Sequence, residues 1–194
     1  MMNGMYNEAS AFTFFDPSFV LDSLEQDDRY ARADFDNVFF FGHSYGSEMG
    51  SGAMMTDTRF KALGLVDGIL YPEYKEQQAT SSTPIFAMSS SGYGMTPDVF
   101  APYLEADGSE VTFLYFPAAS HMSYSSLSLL SSGSTSAERD VDLDTIVQSR
   151  KAILAFFESV RGGTYDDFAE YLKAEFPENI SGNNAQLLID FSIR

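Results

Sequence analysis

A serine flanked by glycines is the feature of this sequence with the clearest potential for chemistry. Gly42-His43-Ser44-Tyr45-Gly46 fits the pattern G-x-S-x-G, follows an apolar run at 38–41 and precedes a segment of small residues. A strand, a sharp turn and a helix around such a serine are typical of a nucleophile elbow, which projects the hydroxyl from the end of a sheet. We expect Gly42 and Gly46 there because the close approach of the chain leaves no space for a Cβ. A chance match is the alternative in a serine-rich chain, but the strand–turn–helix setting favours Ser44 as a nucleophile.

The helix predicted after Ser44 would stabilise negative charge near the hydroxyl. Backbone N–H groups and the positive end of the helix dipole point out of a helix N-terminus. An oxyanion formed beside Ser44 would meet these donors, as in an oxyanion hole. The N–H of Tyr45 is the predicted donor, and the sequence does not identify a second one.

A serine nucleophile needs a base, and the sequence contains two histidines. His43 is adjacent to Ser44 in the elbow, where its side chain is expected to point away from the hydroxyl, so we interpret it as a packing residue. His121 follows the strand predicted at 110–117 and would lie at the same end of the sheet as Ser44. His121 is therefore the predicted general base.

The base needs an acidic partner, and Asp67 is the favoured candidate. It ends the strand predicted at 60–68, and a carboxylate that follows an apolar run is costly to bury without a partner. Asp98 is a rival, although we expect it in the first turn of a helix, and a capping role is the alternative for Asp67. Ser44, Asp67 and His121 follow one another in the chain order of α/β-hydrolases.

The elements that position these residues alternate between strands and helices. Apolar runs predict strands from residue 37, at 60–68, at 83–90 and at 110–117. Helical patterns and capping signals predict helices at about 17–27, 45–55, 96–106, 142–160 and 165–176. This alternation predicts an α/β fold with a mostly parallel sheet flanked by helices. We assign residues 1–161 to a partial hydrolase domain and residues 162–194 to a C-terminal helical extension and tail.

Composition argues against several classes of function. The net charge of −17 opposes binding to nucleic acid and to anionic lipid. Without cysteine there is no disulfide or thiolate metal site, the acidic pairs lack metal-ligand spacing, and no cofactor is predicted. No signal peptide or membrane-spanning window is recognisable. We therefore expect a soluble protein, with the cytoplasm slightly favoured and secretion left open should the N-terminus be incomplete.

Several segments carry a resemblance to a known family. The elbow GHSYG, the stretch DTRFKALGLVDGILYP, the following STPIFAMSSSGY and the segment ASHMSYSSLSLLSSG resemble the platelet-activating-factor acetylhydrolase family over about residues 30–160. The resemblance implies a lipase-like α/β-hydrolase fold and calcium-independent hydrolysis of short or oxidised sn-2 acyl groups from phospholipids. It also implies Ser44 as nucleophile, His121 as general base and then acid, and Asp67 as its orienting partner.

The N-terminal part departs from the family's pattern. A complete α/β-hydrolase has several strands before the nucleophile strand, and a loop among them supplies the second oxyanion donor. Only 37 residues precede Val38, and they predict no such set of strands. The nucleophile strand would then lie at a sheet edge, which we expect another chain or an N-terminal segment to cover. Loss of one oxyanion donor would lower the rate by about two to three orders of magnitude.

Three hypotheses for function follow from these patterns. The first is a serine ester hydrolase for phospholipids or small lipid esters. The second keeps the same residues but takes aryl, polyester or dienelactone-like esters, and the third is a truncated or inactive relative that serves as a binding module. A few apolar residues after His121 offer a weak contact with a lipid surface, although core packing is the favoured interpretation: Met122, Tyr124, Leu127 and Leu130. The serine-rich stretch at 123–136 is interpreted as a solvated approach to a helix.

Overall fold

Strands and helices alternate along the part of the chain that the computed structural model describes, which is residues 16–68, 83–91 and 111–176. The strands are β1 Val38–His43, β2 Phe60–Val66, β3 Ile85–Ser90 and β4 Val111–Phe116. The longer helices are α1 Asp16–Glu25, α2 Tyr45–Thr56, α3 Ser136–Gly162 and α4 Phe168–Glu175. The helix predicted at 96–106, the rival acid Asp98 and the predicted tail after residue 176 lie outside the described residues.

The four described strands form one parallel sheet. Their order is β1-β2-β3-β4, and every neighbouring pair runs parallel. Parallel strands run in the same direction, because a crossover connection returns the chain to the start of the next strand. Their carboxyl ends therefore lie at the same edge of the sheet. The predicted α/β fold with a mostly parallel sheet is confirmed.

The two central strands are buried because both faces of the sheet are covered. All six residues of β3 are buried, and within β2 only Lys61 is exposed. Such continuous apolar runs are expected of parallel strands that carry helices on both faces. The short apolar segments in the sequence therefore predicted these strands correctly.

Alternating side chains of the sheet show which helix covers which face. Phe40 and Leu63 face α2, where a Cβ on Gly50 would lie 2.2 Å from Phe40 Cδ1. Phe39 points to the opposite face and stacks on Phe157 of α3 with ring centroids 4.9 Å apart. On that same face, a Cβ on Gly64 would lie 2.3 Å from a side-chain atom of α3. Small residues thus let both helices approach the sheet closely.

Helix α3 begins earlier than the predicted residue 142. Its N-cap Thr135 accepts a hydrogen bond from the N–H of Glu138, and the Glu138 carboxylate accepts one from the N–H of Thr135 in return. This capping box satisfies N–H groups that a helix start leaves unpaired, so the helix can begin within the serine-rich stretch. The helix is followed by Gly163, whose φ of 69° is the left-handed conformation that glycine adopts readily.

Strand β1 lies at the edge of the described sheet. It pairs with β2 on one side, and Phe41 is 53% exposed. The cover predicted for this edge stays a prediction, as does the division into residues 1–161 and 162–194. Among the described residues, no helix combines the length and the apolar character required to cross a membrane.

Candidate active site

The predicted site residues meet at the carboxyl edge of the parallel sheet. Ser44 directly follows β1, Asp67 directly follows β2, and His121 lies in the loop after β4. Open α/β sheets commonly bind ligands at this edge, because the loops after parallel strands converge there. The topology therefore brings together three residues that are far apart in the chain.

The turn at Ser44 holds its backbone in an unusual conformation. Ser44 has φ 57° and ψ −123°, and its N–H donates to the carbonyl oxygen of Val66 over 2.8 Å. A positive φ is disfavoured for a residue with a side chain and persists where the surroundings enforce it. Such a turn between a strand and a helix is the geometry of a nucleophile elbow.

The two elbow glycines differ in their surroundings. A Cβ on Gly42 would lie 2.2 Å from the carbonyl oxygen of Gly46, a distance that atoms do not tolerate. A Cβ on Gly46 would meet nothing within 4 Å. The expectation that both positions exclude a side chain is therefore wrong for Gly46. The crowding is one-sided because Gly42 faces the backbone of α2, whereas Gly46 lies in the helix with open space beside it.

A chain of hydrogen bonds connects the three residues. Nε2 of His121 lies 3.0 Å from Oγ of Ser44, and Nδ1 of His121 lies 2.8 Å from Oδ2 of Asp67. With the neutral imidazole protonated on Nδ1, that nitrogen donates to the carboxylate and Nε2 accepts from the serine hydroxyl. This arrangement can move a proton from Ser44 to His121 while Asp67 fixes the ring.

The Asp67 carboxylate is fully buried and has several donors. Its Oδ1 accepts from the N–H of Ser90 over 2.8 Å, and its Oδ2 accepts from the Ser90 hydroxyl over 2.7 Å. The hydroxyl of Ser89 lies 3.3 Å from Oδ1. These bonds compensate for the loss of water and hold the carboxylate toward His121. Neither serine was predicted to contact Asp67, although their place at the end of the strand beside β2 was a usable signal.

His43 has a more specific contact than the packing role predicted for it. Its Nε2–H donates to the backbone carbonyl oxygen of His121 over 2.8 Å, and the two rings lie 4.7 Å apart between centroids. Burial lowers the pKa of His43 below its ordinary value of 6.5, and the hydrogen bond to the His121 carbonyl oxygen offsets only part of this shift. The contact joins residues 78 positions apart, so the sequence contains no local signal for it.

The apolar residues after His121 divide into two groups. Tyr124 is partly buried against Phe116, and burial raises the pKa of its hydroxyl above the usual range. In contrast, three residues predicted to pack in the core are exposed: Met122, Leu127 and Leu130. The core interpretation is wrong for those three, because the loop turns their side chains toward solvent.

The serine-rich stretch is only partly solvated. Ser123 and Ser128 are buried, in contrast to the prediction of a solvated approach to the helix. Repeated short turns fold the stretch back on itself, for example the bond from the N–H of Ser125 to the carbonyl oxygen of Met122 over 2.9 Å. Some of its hydroxyls therefore serve as internal hydrogen-bonding groups.

Comparisons with known proteins support the fold. No family model matches the chain, and no curated protein sequence matches it either. Among solved structures, it is similar to a ferulic acid esterase from Streptomyces cinnamoneus, with a TM-score of 0.60 and 19% identity. The match covers 78% of this chain and 48% of the esterase, so the chain spans about half the length of that protein. The likeness shows that the described sheet and helices have an α/β-hydrolase-like fold.

Proposed function

We propose that this chain is a carboxylic ester hydrolase that acts through a serine acyl-enzyme. The observation that carries the proposal is the chain of hydrogen bonds from Ser44 through His121 to Asp67, with the serine on a strained turn between strand and helix. The structural likeness to an esterase supports the same class of reaction. Ser44, His121 and Asp67 serve as nucleophile, general base and orienting carboxylate.

Acylation begins with attack of Ser44 Oγ on the ester carbonyl carbon. His121 Nε2 takes the hydroxyl proton as the new C–O bond forms, and the carbonyl oxygen becomes an oxyanion. The backbone N–H of Tyr45, at the first residue of α2, donates to that oxyanion. The C–O bond to the alcohol then breaks, and His121 gives its proton to the leaving alkoxide.

Deacylation repeats these steps with water. His121 takes a proton from the water as its oxygen attacks the acyl carbon, and a second oxyanion forms near Tyr45. When this intermediate collapses, the proton returns to Ser44 Oγ and the acid leaves. Asp67 stabilises the imidazolium that forms in both halves of the reaction, since its carboxylate stays in contact with Nδ1.

Two substrate classes are each favoured by a specific observation. The resemblance to platelet-activating-factor acetylhydrolases favours phospholipids with a short or oxidised sn-2 acyl group, and the exposed Met122, Leu127 and Leu130 provide apolar contacts for such a substrate. The likeness to a ferulic acid esterase favours an ester of an aromatic acid.

A fluorophosphonate probe tests the reaction class directly. Such probes phosphonylate an activated serine, so we expect the wild-type chain to gain one adduct on Ser44, identified by peptide mass spectrometry. Ser44→Ala abolishes the adduct, and His121→Ala lowers the labelling rate by at least about a thousandfold because the base is lost. Ser126→Ala changes an exposed serine of the serine-rich stretch that follows His121, and it serves as the matched control.

The fluorophosphonate labelling also decides whether the chain is an enzyme or a binding module. If the wild-type chain is folded by circular dichroism but gains no adduct, the chain is an inactive relative and the proposal fails. An adduct on a serine other than Ser44 would contradict the assignment of the nucleophile.

Turnover of two substrates separates the two substrate classes. We expect one clear preference in kcat/KM between a phosphatidylcholine with an acetyl group at sn-2, used below its critical micelle concentration, and methyl ferulate. Met122→Ser and Leu127→Ser together lower kcat/KM for the preferred apolar ester through KM, because they remove contacts beside the site. Equal turnover of both substrates would indicate a general carboxylesterase.

A further inference from the structure

A buried carboxylate outside the three site residues lies close to the loop of His121. Asp142, in the second turn of α3, is 8% exposed, and its Oδ1 lies 2.5 Å from Oγ of Ser123. A buried carboxylate is expensive unless it is paired. Among the described residues no ion pair includes Asp142, so the partner that its contacts show is a neutral hydroxyl rather than a cation.

Ser123 connects this carboxylate to the turn that contains His121. Its Oγ accepts from the N–H of Ser120 over 2.8 Å and lies 3.0 Å from the Ser120 hydroxyl. Ser123 donates its single hydroxyl proton to Asp142, so toward Ser120 it can only accept. The N–H of Ser123 also donates to the Ser120 carbonyl oxygen over 3.0 Å. These bonds close a turn whose two inner residues are His121 and Met122.

Apolar packing alone does not hold this turn against α3. A cavity of about 570 Å³ lies between the loop and the first turns of α3, and it is lined by residues of both, including Met122 and Val141. The Ser123–Asp142 bond bridges the two segments at this cavity. Further along, α3 is anchored in the core by Ala152 and Phe156, both fully buried. The bond therefore connects the loop to a rigid element.

We propose that Asp142 and Ser123 are positioning residues for His121, an inference that rests on the proposed function. His121 must keep Nδ1 at Asp67 and Nε2 at Ser44 at once, and this requires a fixed backbone. The Ser123–Asp142 pair fixes that backbone from the side of α3. A displacement of about 1 Å at a reacting group can lower a rate by about a hundredfold, so loss of the pair acts on kcat.

Variants at Asp142 separate the hydrogen bond from the charge. Asp142→Leu removes the acceptor at similar size, and we expect kcat on 4-nitrophenyl acetate to fall about 10- to 100-fold with KM unchanged within about twofold. Asp142→Asn keeps an oxygen that can accept from Ser123 and is expected to retain kcat within about threefold. Asp140→Leu, at an exposed position of the same helix, is the matched control with wild-type kcat.

A double variant separates positioning from stability. Ser123→Ala leaves a buried carboxylate without its partner and is expected to lower the thermal midpoint. In Ser123→Ala/Asp142→Leu no buried carboxylate is left without its partner, so the thermal midpoint should recover in part toward that of the wild type while kcat and the rate of fluorophosphonate labelling stay low. That split between recovered stability and lost activity is the expected signature of positioning.

Each other outcome overturns either this inference or the proposed function. Wild-type kcat in the folded double variant or in Asp142→Leu would overturn the positioning role while leaving the proposed function intact. A double variant that does not fold would make the pair a structural requirement and would also overturn it. Failure of the wild-type chain to react with the probe would instead overturn the proposed function.

Discussion

The elbow at Ser44 and the loop at His121 reach the same site by different physical means. The elbow is held by backbone: Gly42 fits against the start of α2 at a distance that excludes a Cβ, and the N–H of Ser44 bonds to β2. The loop of His121 is held by side chains, with His43 on one side and the Ser123–Asp142 pair on the other. The steric contact at Gly42 involves residues only four positions apart in the sequence. The side-chain contacts around His121 instead join segments that are distant in the sequence.

The two halves of the site are therefore sensitive to different kinds of substitution. A side chain at Gly42 of the elbow is expected to change the path of the chain and so lower the stability of the whole fold. A substitution around the loop leaves the core intact and is expected to misplace the imidazole. Variants on the two sides of the site separate a loss of stability from a loss of activity.

Asp67→Asn is expected to lower kcat more than any other substitution proposed around the site. Asparagine tolerates the positive φ of 47° at this position, so the fold should persist. The amide stabilises the imidazolium less and favours the wrong tautomer of His121, and we expect kcat to fall about 10³- to 10⁴-fold. Steady-state kinetics on 4-nitrophenyl acetate, with circular dichroism as the control for folding, measures this. A loss below tenfold would show that His121 does not depend on this carboxylate.

Gly42→Ala and Gly46→Ala form a matched pair at the elbow. A Cβ at Gly42 would collide with the carbonyl oxygen of Gly46, and relief of that collision is expected to cost about 3 kcal/mol of unfolding free energy. At Gly46 the space is open, and alanine in place of a helical glycine is expected to stabilise by about 0.5–1 kcal/mol. Urea denaturation measures both. Similar destabilisation by the two substitutions would contradict the one-sided crowding.

His43→Leu tests whether the hydrogen bond from His43 to the backbone of His121 positions the imidazole. The variant removes the donor to the His121 carbonyl oxygen at similar volume, and we expect kcat to fall about tenfold with little change in KM. His43→Gln offers an amide N–H near the position of Nε2 and should recover most of the activity. If glutamine and leucine behave alike, the hydrogen bond has no role in positioning His121.

Because the pKa of His43 is lowered in the folded state, the free energy of unfolding is expected to fall at acidic pH. Burial lowers its pKa in the folded state below the ordinary value of 6.5, so the unfolded chain binds a proton more readily. This contribution to stability is complete above about pH 6.5 and declines as the pH falls from there toward the folded-state pKa. Urea denaturation at pH 7.5 and pH 5 should therefore show a larger loss for the wild type than for His43→Gln. Equal losses would contradict the lowered pKa.

Asp57→Asn lies before β2, at the amino end of the sheet, and is expected to change stability only slightly and activity not at all. Arg59 donates to both carboxylate oxygens of Asp57, over 2.9 Å and 2.6 Å, and holds the pKa of Asp57 well below its usual range. Stability from this pair is present above about pH 3.8 and is lost as the pH falls further. We expect a loss of about 1 kcal/mol at neutral pH with unchanged kcat. Asp27→Asn, in a more exposed pair with Arg29, is the matched control with a smaller effect.

The predicted elements agree best with the structure where a local pattern was sufficient. The apolar runs at 60–68 and 83–90 correspond to β2 and β3, because strands buried on both faces need uninterrupted apolar residues. The start of α3 was placed too late, since its capping box lies among serines that read as loop. The exposure of Leu127 and Leu130 was missed because an apolar residue in an irregular loop carries no periodic signal.

The strands, the elbow around Ser44 and the candidate acid and base could all be predicted without the structure. These features follow from residue type and short spacing, through burial of apolar runs and the conformational freedom of glycine. Tertiary structure alone decided that Ser90 holds Asp67, that His43 bonds to the loop of His121, and that Ser123 bonds to Asp142. The physical reason is that a hydrogen bond between distant segments depends on their placement in the fold, which no local pattern of residues specifies.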